Sequence, residues 1–185
     1  MECKTLRAIV AELQNASKYV EEEQVTALAD EILKAEQIFI GGAGRSGFVG
    51  RAFANRLMHL GFHVYFVGEP TTTCIKKNDL LILLSGSGNT ASLVSMAEKA
   101  KFLRAKIAAI TIFPNHKIGN LANTLIQLQG TSLKSEDSST MKSIQMDGSI
   151  FEQLAWLVCD TLVLKLMGET KQTSADLFAR HANLE

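Results

Sequence analysis

Apolar positions Leu6, Ile9, Val10, Leu13 and Val20 recur at the spacing of one helical face, and Val25, Leu28, Ala29, Ile32 and Leu33 repeat the pattern. Two amphipathic helices are expected to open the chain. Gln37 to Ile40 reads as a short apolar strand running into Gly41-Gly42-Ala43-Gly44, after which Phe48, Val49, Ala52, Phe53, Leu57 and Leu60 sketch a helix stopped by Gly61. Further strands are predicted at His63 to Val67, Leu80 to Leu84, Ile107 to Phe113 and Thr124 to Leu128. A helix is expected over Ala91 to Arg104 and a short segment around Ile118 and Leu121. Unbroken apolar runs, as opposed to alternating ones, belong to strands buried on both faces. Strands that alternate with helices indicate an α/β chain, a three-layer sandwich on a parallel sheet with right-handed crossovers. The polar stretch Gly130 to Asp147 is too long for a mere connection, so it is either an active-site loop or hides a short helix. Ser149 to Met167 is helical again and apolar nearly all round at Leu154 to Val158, a surface that calls for a partner and argues for an oligomer. A last helix is expected over Ser174 to Ala182, with Ser174 as its N-cap and a weak apolar face through Leu177 and Phe178.

A chain of 185 residues has room for one domain and one substantial core. With 46% apolar and 21% charged residues, disordered and low-complexity classes drop out. Nineteen basic side chains balance nineteen acidic ones, so there is no net field to gather a phosphate backbone or anionic lipid, and no nucleic-acid partner is expected. Cys3, Cys74 and Cys159 are scattered and odd in number, which suggests neither a disulfide framework nor a zinc site and fits a reducing cytoplasm. No apolar run approaches the roughly 18 to 20 residues that cross a bilayer, so a soluble protein without membrane partners is expected.

The tightest chemical signal is Ser85-Gly86-Ser87-Gly88-Asn89-Thr90, between a buried strand and a helix start. Its glycines allow a tight turn, the first helical N–H groups lack partners, and the helix dipole favours an anion there. Its hydroxyls donate to phosphate oxygens without adding charge. A helix cap alone needs one such side chain, not four. Gly42-Ala43-Gly44-Arg45-Ser46-Gly47 matches the dinucleotide fingerprint G-x-G-x-x-G, but Glu69 comes late for a ribose-binding acid and no second nucleotide half follows. Two glycine turns at neighbouring strand ends instead describe one crevice for a phosphorylated sugar, with Arg45 free to hold a hydroxyl, carbonyl or phosphate oxygen. Glu152 has two readings: a capping box with Ser149, or a catalytic carboxylate. His59 and His63 are spaced for a metal, yet Gly61 breaks the helix between them and no carboxylate or thiol clusters nearby, so no metal is expected. His116 sits in a loop without an evident partner, and His181 lies in the tail.

Several segments together resemble the sugar-isomerase (SIS) domain family, and more narrowly its 6-phospho-3-hexuloisomerases. They are Gly42 to Gly47, Asn55 to Phe62, Gly68-Glu69-Pro70-Thr71-Thr72, Ser85 to Gly88, Gly148-Ser149-Ile150-Phe151-Glu152-Gln153, and the terminal His181-Ala182-Asn183-Leu184-Glu185. The resemblance implies a five-stranded flavodoxin-like sheet, a homotetramer, and no metal or organic cofactor. It implies interconversion of D-arabino-3-hexulose 6-phosphate and D-fructose 6-phosphate through a 2,3-enediol, the step after formaldehyde is condensed with ribulose 5-phosphate. Glu152 is then the base, and His181 from a neighbouring subunit moves protons between oxygens or opens the ring, with His59 as a second candidate. Ser46, Ser85, Ser87 and Thr90 hold the phosphate, beside Gly44, Arg45, Gly86 and Asn89. Two positions depart from the pattern: Asn89 stands where relatives commonly carry an acid, and Met146-Asp147-Gly148 replaces the more usual proline-methionine-glycine. An isomerase of another ketose or aldose phosphate, or a non-catalytic module that senses a sugar phosphate, has much the same motifs.

Overall fold

The computed structural model describes residues 2–132 and 142–184; residues 133–141, most of the expected polar stretch, lie outside them. The elements run α1 (Lys4–Ser17), α2 (Glu22–Lys34), β1 (Ile38–Gly42), α3 (Gly44–His59), β2 (Val64–Phe66), β3 (Leu80–Leu84), α4 (Ala91–Phe102), β4 (Lys106–Thr111), α5 (Lys117–Leu121), β5 (Thr124–Gln127), α6 (Ser149–Thr170) and α7 (Ser174–Phe178). All strand pairs are parallel and the sheet order is β2-β1-β3-β4-β5. From β1 the chain crosses outward to β2, then returns to place β3 on the other side of β1. The order therefore reverses between β1 and β3, and in such sheets the ligand crevice opens beyond the carboxyl ends of those two strands.

Side chains alternate across the sheet into two cores. Ile38, Ile40, Leu80, Ile82, Leu84, Ala108 and Ile110 pack on one face with residues of α2, α3 and α6, while Phe39, Leu81, Leu83, Ile107 and Ala109 pack on the other with α4 and α5. Every residue of β3 is buried, which explains its unbroken apolar run. On α6, Leu154, Ala155, Val158, Cys159, Leu162 and Leu166 are buried, whereas Trp156 and Leu157 stay 46% and 49% exposed. Among the described residues no helix is long and apolar enough to cross a membrane.

α7 ends at Phe178, short of Ala182, β4 runs Lys106–Thr111, and three helix starts depart from the sequence pattern. α3 starts at Gly44, ahead of its first apolar position, because its opening turn faces a cavity and has no core contact to mark it. α7 is capped by Thr173, not Ser174: the Asp176 N–H donates to Thr173 Oγ1 (3.3 Å) and the Thr173 N–H donates back to Asp176 Oδ2 (2.7 Å). At α6 the N-cap is Gly148, in the left-handed conformation at φ 84°, and no side chain caps it. Ser149 is thus the first helical residue, and the capping box with Glu152 does not form.

Candidate active site

Three helices point their N-termini at one cavity of about 270 Å³. α3 contributes Gly44, Arg45 and Ser46, α4 its N-cap Thr90 and Leu93, and α6 Phe151 and Glu152 behind Gly148. Ser85, Gly86 and Ser87 form the floor between β3 and α4. None of the three helix starts has a side-chain cap, so their first N–H groups and the positive ends of three dipoles are available to an anion. Ser85 and Ser87 are buried, and their Oγ atoms lie 3.4 and 3.5 Å from Thr90 Oγ1, a cluster of three hydroxyls. Among the described residues no acceptor is bonded by the N–H of Gly86 or Ser87. Gly86 packs closely, since a Cβ there would meet the Phe151 ring at 3.1 Å.

Glu152 enters this cavity from the first turns of α6. Its side chain is only 15% exposed and accepts an ion-paired hydrogen bond from Arg45 Nε, whose own side chain is 69% exposed. A carboxylate held by a guanidinium and the hydroxyls of the Ser85–Thr90 turn thus line the same cavity. The entry to α6 is anchored by α1: Glu12 accepts from the Ile144 N–H (3.0 Å) and from Gln145 Nε2 (2.9 Å), and Gln153 Nε2 donates to Gln145 Oε1 (2.9 Å). Asp147, Thr131 and Ser132 also line the cavity; nothing in the sequence pattern marks the last two.

The structure thus brings together Gly44, Arg45, Ser46, Ser85, Gly86, Ser87, Thr90 and Glu152. Asn89 is not among the residues lining the cavity. Its Oδ1 accepts from the Lys117 N–H (3.1 Å) and its Nδ2 lies 3.0 Å from His116 Nδ1, on the β4 side of the turn. His59 and His181 lie elsewhere, stacked on each other with ring centroids 4.9 Å apart, beside a second cavity of about 390 Å³ shared with Arg56, Asp160 and Phe178. His59 is buried. That burial, with the neighbouring His181 and Arg56, holds its imidazole below the usual histidine range. Along α3, at about 1.5 Å per residue, His59 stands about 21 Å from Arg45. His63 is exposed, and Glu69 pairs with Arg51 (3.0 and 3.1 Å).

The SIS domain family model matches residues 31–155. A 3-hexulose-6-phosphate isomerase of Bacillus subtilis (strain 168) is 45% identical over 177 residues, 96% of this chain and 95% of the relative. One of Methanocaldococcus jannaschii is 40% identical over 161 residues, 87% of this chain and 84% of the relative. A crystal structure of a Methanococcus jannaschii protein, inferred to be a 3-hexulose-6-phosphate isomerase, is 36% identical and superposes with a TM-score of 0.81 over 99% of this chain and 100% of that one.

Proposed function

The chain belongs to the SIS domain family, and on that premise we propose that it interconverts D-arabino-3-hexulose 6-phosphate and D-fructose 6-phosphate. The observation that carries this reading is the pairing of Glu152 with Arg45 on the wall of a cavity otherwise built from hydroxyls and helix N-termini. The cavity lies just under the usual roughly 300–1,000 Å³ of ligand sites, which suits a single sugar phosphate and not a dinucleotide. A phosphate dianion finds hydroxyls of Ser46, Ser85, Ser87 and Thr90 and partial positive charge from the helix starts, with no lysine or arginine in that turn to hold it too tightly to leave.

With the phosphate fixed there, C2 and C3 lie toward α6. Glu152 takes the proton from C2 beside the C3 carbonyl, giving an enediolate; a proton passes from O2 to O3, and the same carboxyl returns its proton to C3 as the carbonyl forms at C2. Negative charge grows on the substrate oxygens during this step, and Arg45 is the cation beside it. Arg45 is engaged by Glu152. A substrate oxygen that draws the guanidinium toward itself therefore frees the carboxylate to act as base. A sensing module needs the phosphate turn but no carboxylate inside the cavity.

The resemblance also assigns His181 to proton movement between oxygens, and supports a homotetramer in which that residue comes from another copy. Within one chain His181 is stacked on His59 at the far end of α3, outside the cavity that holds Glu152. The direct test is an assay of the purified chain with fructose 6-phosphate, following formation of the 3-hexulose phosphate. Wild-type turnover is expected, and Glu152→Gln should bind the sugar phosphate nearly as well while turning over about two to four orders of magnitude more slowly. Full activity in Glu152→Gln removes Glu152 as the base.

A further inference from the structure

The phosphate turn is held from behind by the segment that follows β4. Thr111 Oγ1 and the Ile112 N–H both donate to the Gly86 carbonyl (3.3 and 3.2 Å), and the Ile118 N–H donates to the Gly88 carbonyl (3.0 Å). The carbonyl between them, that of Ser87, is met by a side chain: His116 Nδ1 lies 2.6 Å from it. A carbonyl oxygen only accepts, so at this distance the hydrogen is on Nδ1, and the Asn89 amide at 3.0 Å from the same nitrogen is a neighbour and not its donor. Phe113 stacks on the ring with centroids 4.7 Å apart. Gly88 permits the approach. It sits at φ 63°, and a Cβ there would come within 2.9 Å of His116 Cβ.

A trans peptide is planar, so pinning a carbonyl aims the N–H of the next residue the opposite way. Holding the Gly86 carbonyl from the β4 side turns the Ser87 N–H away from that side. Holding the Ser87 carbonyl sets the central peptide of the turn, whose Gly88 N–H donates to the Ser85 carbonyl (3.2 Å) and closes it. The Gly86 and Gly88 carbonyls are each held by backbone N–H groups, which most substitutions leave in place. The Ser87 carbonyl is held by the His116 side chain. We propose that His116 is a positioning residue for the phosphate grip: through the Ser87 carbonyl it fixes the turn that presents Ser85, Ser87 and Thr90, without touching the substrate. The inference rests on the reading that this turn holds the sugar phosphate.

The test compares His116→Ala, His116→Asn and His116→Asp. Asparagine places an N–H donor on Cγ, where histidine has Nδ1; aspartate has a similar shape but presents an acceptor to the carbonyl. His116→Ala and His116→Asp are expected to raise KM for fructose 6-phosphate about three- to tenfold, with kcat within about twofold of wild type. His116→Asn should restore KM to within about twofold. Calorimetric Kd values for fructose 6-phosphate should follow KM. Equal KM in all three variants and wild type overturns the proposal, as does a fall in kcat that asparagine does not rescue. If His116→Ala does not fold, the asparagine and aspartate pair decides by the same criterion. Failure of the wild type to bind fructose 6-phosphate strikes the functional reading itself, whereas tight wild-type binding that His116→Ala shares strikes only this inference.

Discussion

Each hydroxyl of the phosphate turn already has a hydroxyl neighbour, so the cost of removing one falls mainly on the ligand. Ser85→Ala and Ser87→Ala are expected to raise KM for fructose 6-phosphate with little change in kcat, since a bond made equally in the ground and transition states contributes to binding alone. An unchanged KM in the double variant contradicts the phosphate assignment. His59 makes a different kind of prediction. Burial, with His181 and Arg56 nearby, keeps its folded imidazole below the unfolded value, so the unfolded chain protonates first, near pH 6.5. Its contribution to stability is complete above that pH and is lost as pH falls, until the folded ring also protonates. Chemical denaturation between pH 7.5 and 5 should show unfolding free energy declining with acidity, and declining less in His59→Gln; parallel curves contradict this. The lowered carboxyls of Glu22 and Asp176 act in a separate, more acidic window. The hydroxyls and Arg45 were legible because they fall on consecutive turn positions. His116 was not: it meets Ser87 across 29 positions of sequence, and only the adjacency of β3 and β4 brings their loops together.

At the scale of elements, the glycines of the first turn show which positions the fold leaves no choice. A Cβ on Gly47 would stand 2.8 Å from the Gly42 carbonyl oxygen, where the start of α3 packs on the end of β1. Gly47→Ala is expected to destabilise by roughly 1–3 kcal/mol, at about 2–4 °C of melting temperature per kcal/mol for a chain of this size. Gly168, near the end of α6, has open space where a methyl group would stand, with nothing within 4 Å, and Gly168→Ala should raise the melting temperature slightly, by up to about 1 kcal/mol of helix propensity. Thermal unfolding of the two variants checks both signs, and a stabilising Gly47→Ala contradicts the packing account. Strands read well from the sequence because full burial writes itself as an apolar run, and Leu80–Leu84 matches to the residue. Helix starts read less well. Ser149 and Glu152 satisfy a local capping pattern, yet Gly148 takes the cap and Arg45, 107 positions away, takes the carboxylate. A local pattern is overridden when the fold supplies a charged partner that the motif cannot anticipate.

Over the whole molecule, the cavity lies where the strand order reverses, and an exposed apolar surface adjoins it. Phe48, Trp156 and Leu157 line an exposed apolar cavity of about 410 Å³ that shares Arg45 and Glu152 with the cavity at the helix N-termini, and Leu164 is 69% exposed farther along α6. A second copy seated on this face would both cover apolar surface and complete the site, which is what the apolar character of Leu154 to Val158 leads one to expect. If His181 serves a neighbour's Glu152, then Glu152→Gln and His181→Ala chains, each strongly impaired alone, should regain activity when co-expressed, because some sites take both intact residues from different copies. Absence of recovery in verified hybrids contradicts the shared site. The central claim, that Glu152 moves a proton between adjacent carbons of a phosphate-anchored ketose, is tested most directly by incubating the protein with fructose 6-phosphate in D₂O and reading the sugar by NMR. The account predicts solvent deuterium at C3 of recovered fructose 6-phosphate and at C2 of the 3-hexulose phosphate, falling by orders of magnitude in Glu152→Gln. No exchange in the wild type, or undiminished exchange in the variant, would contradict it.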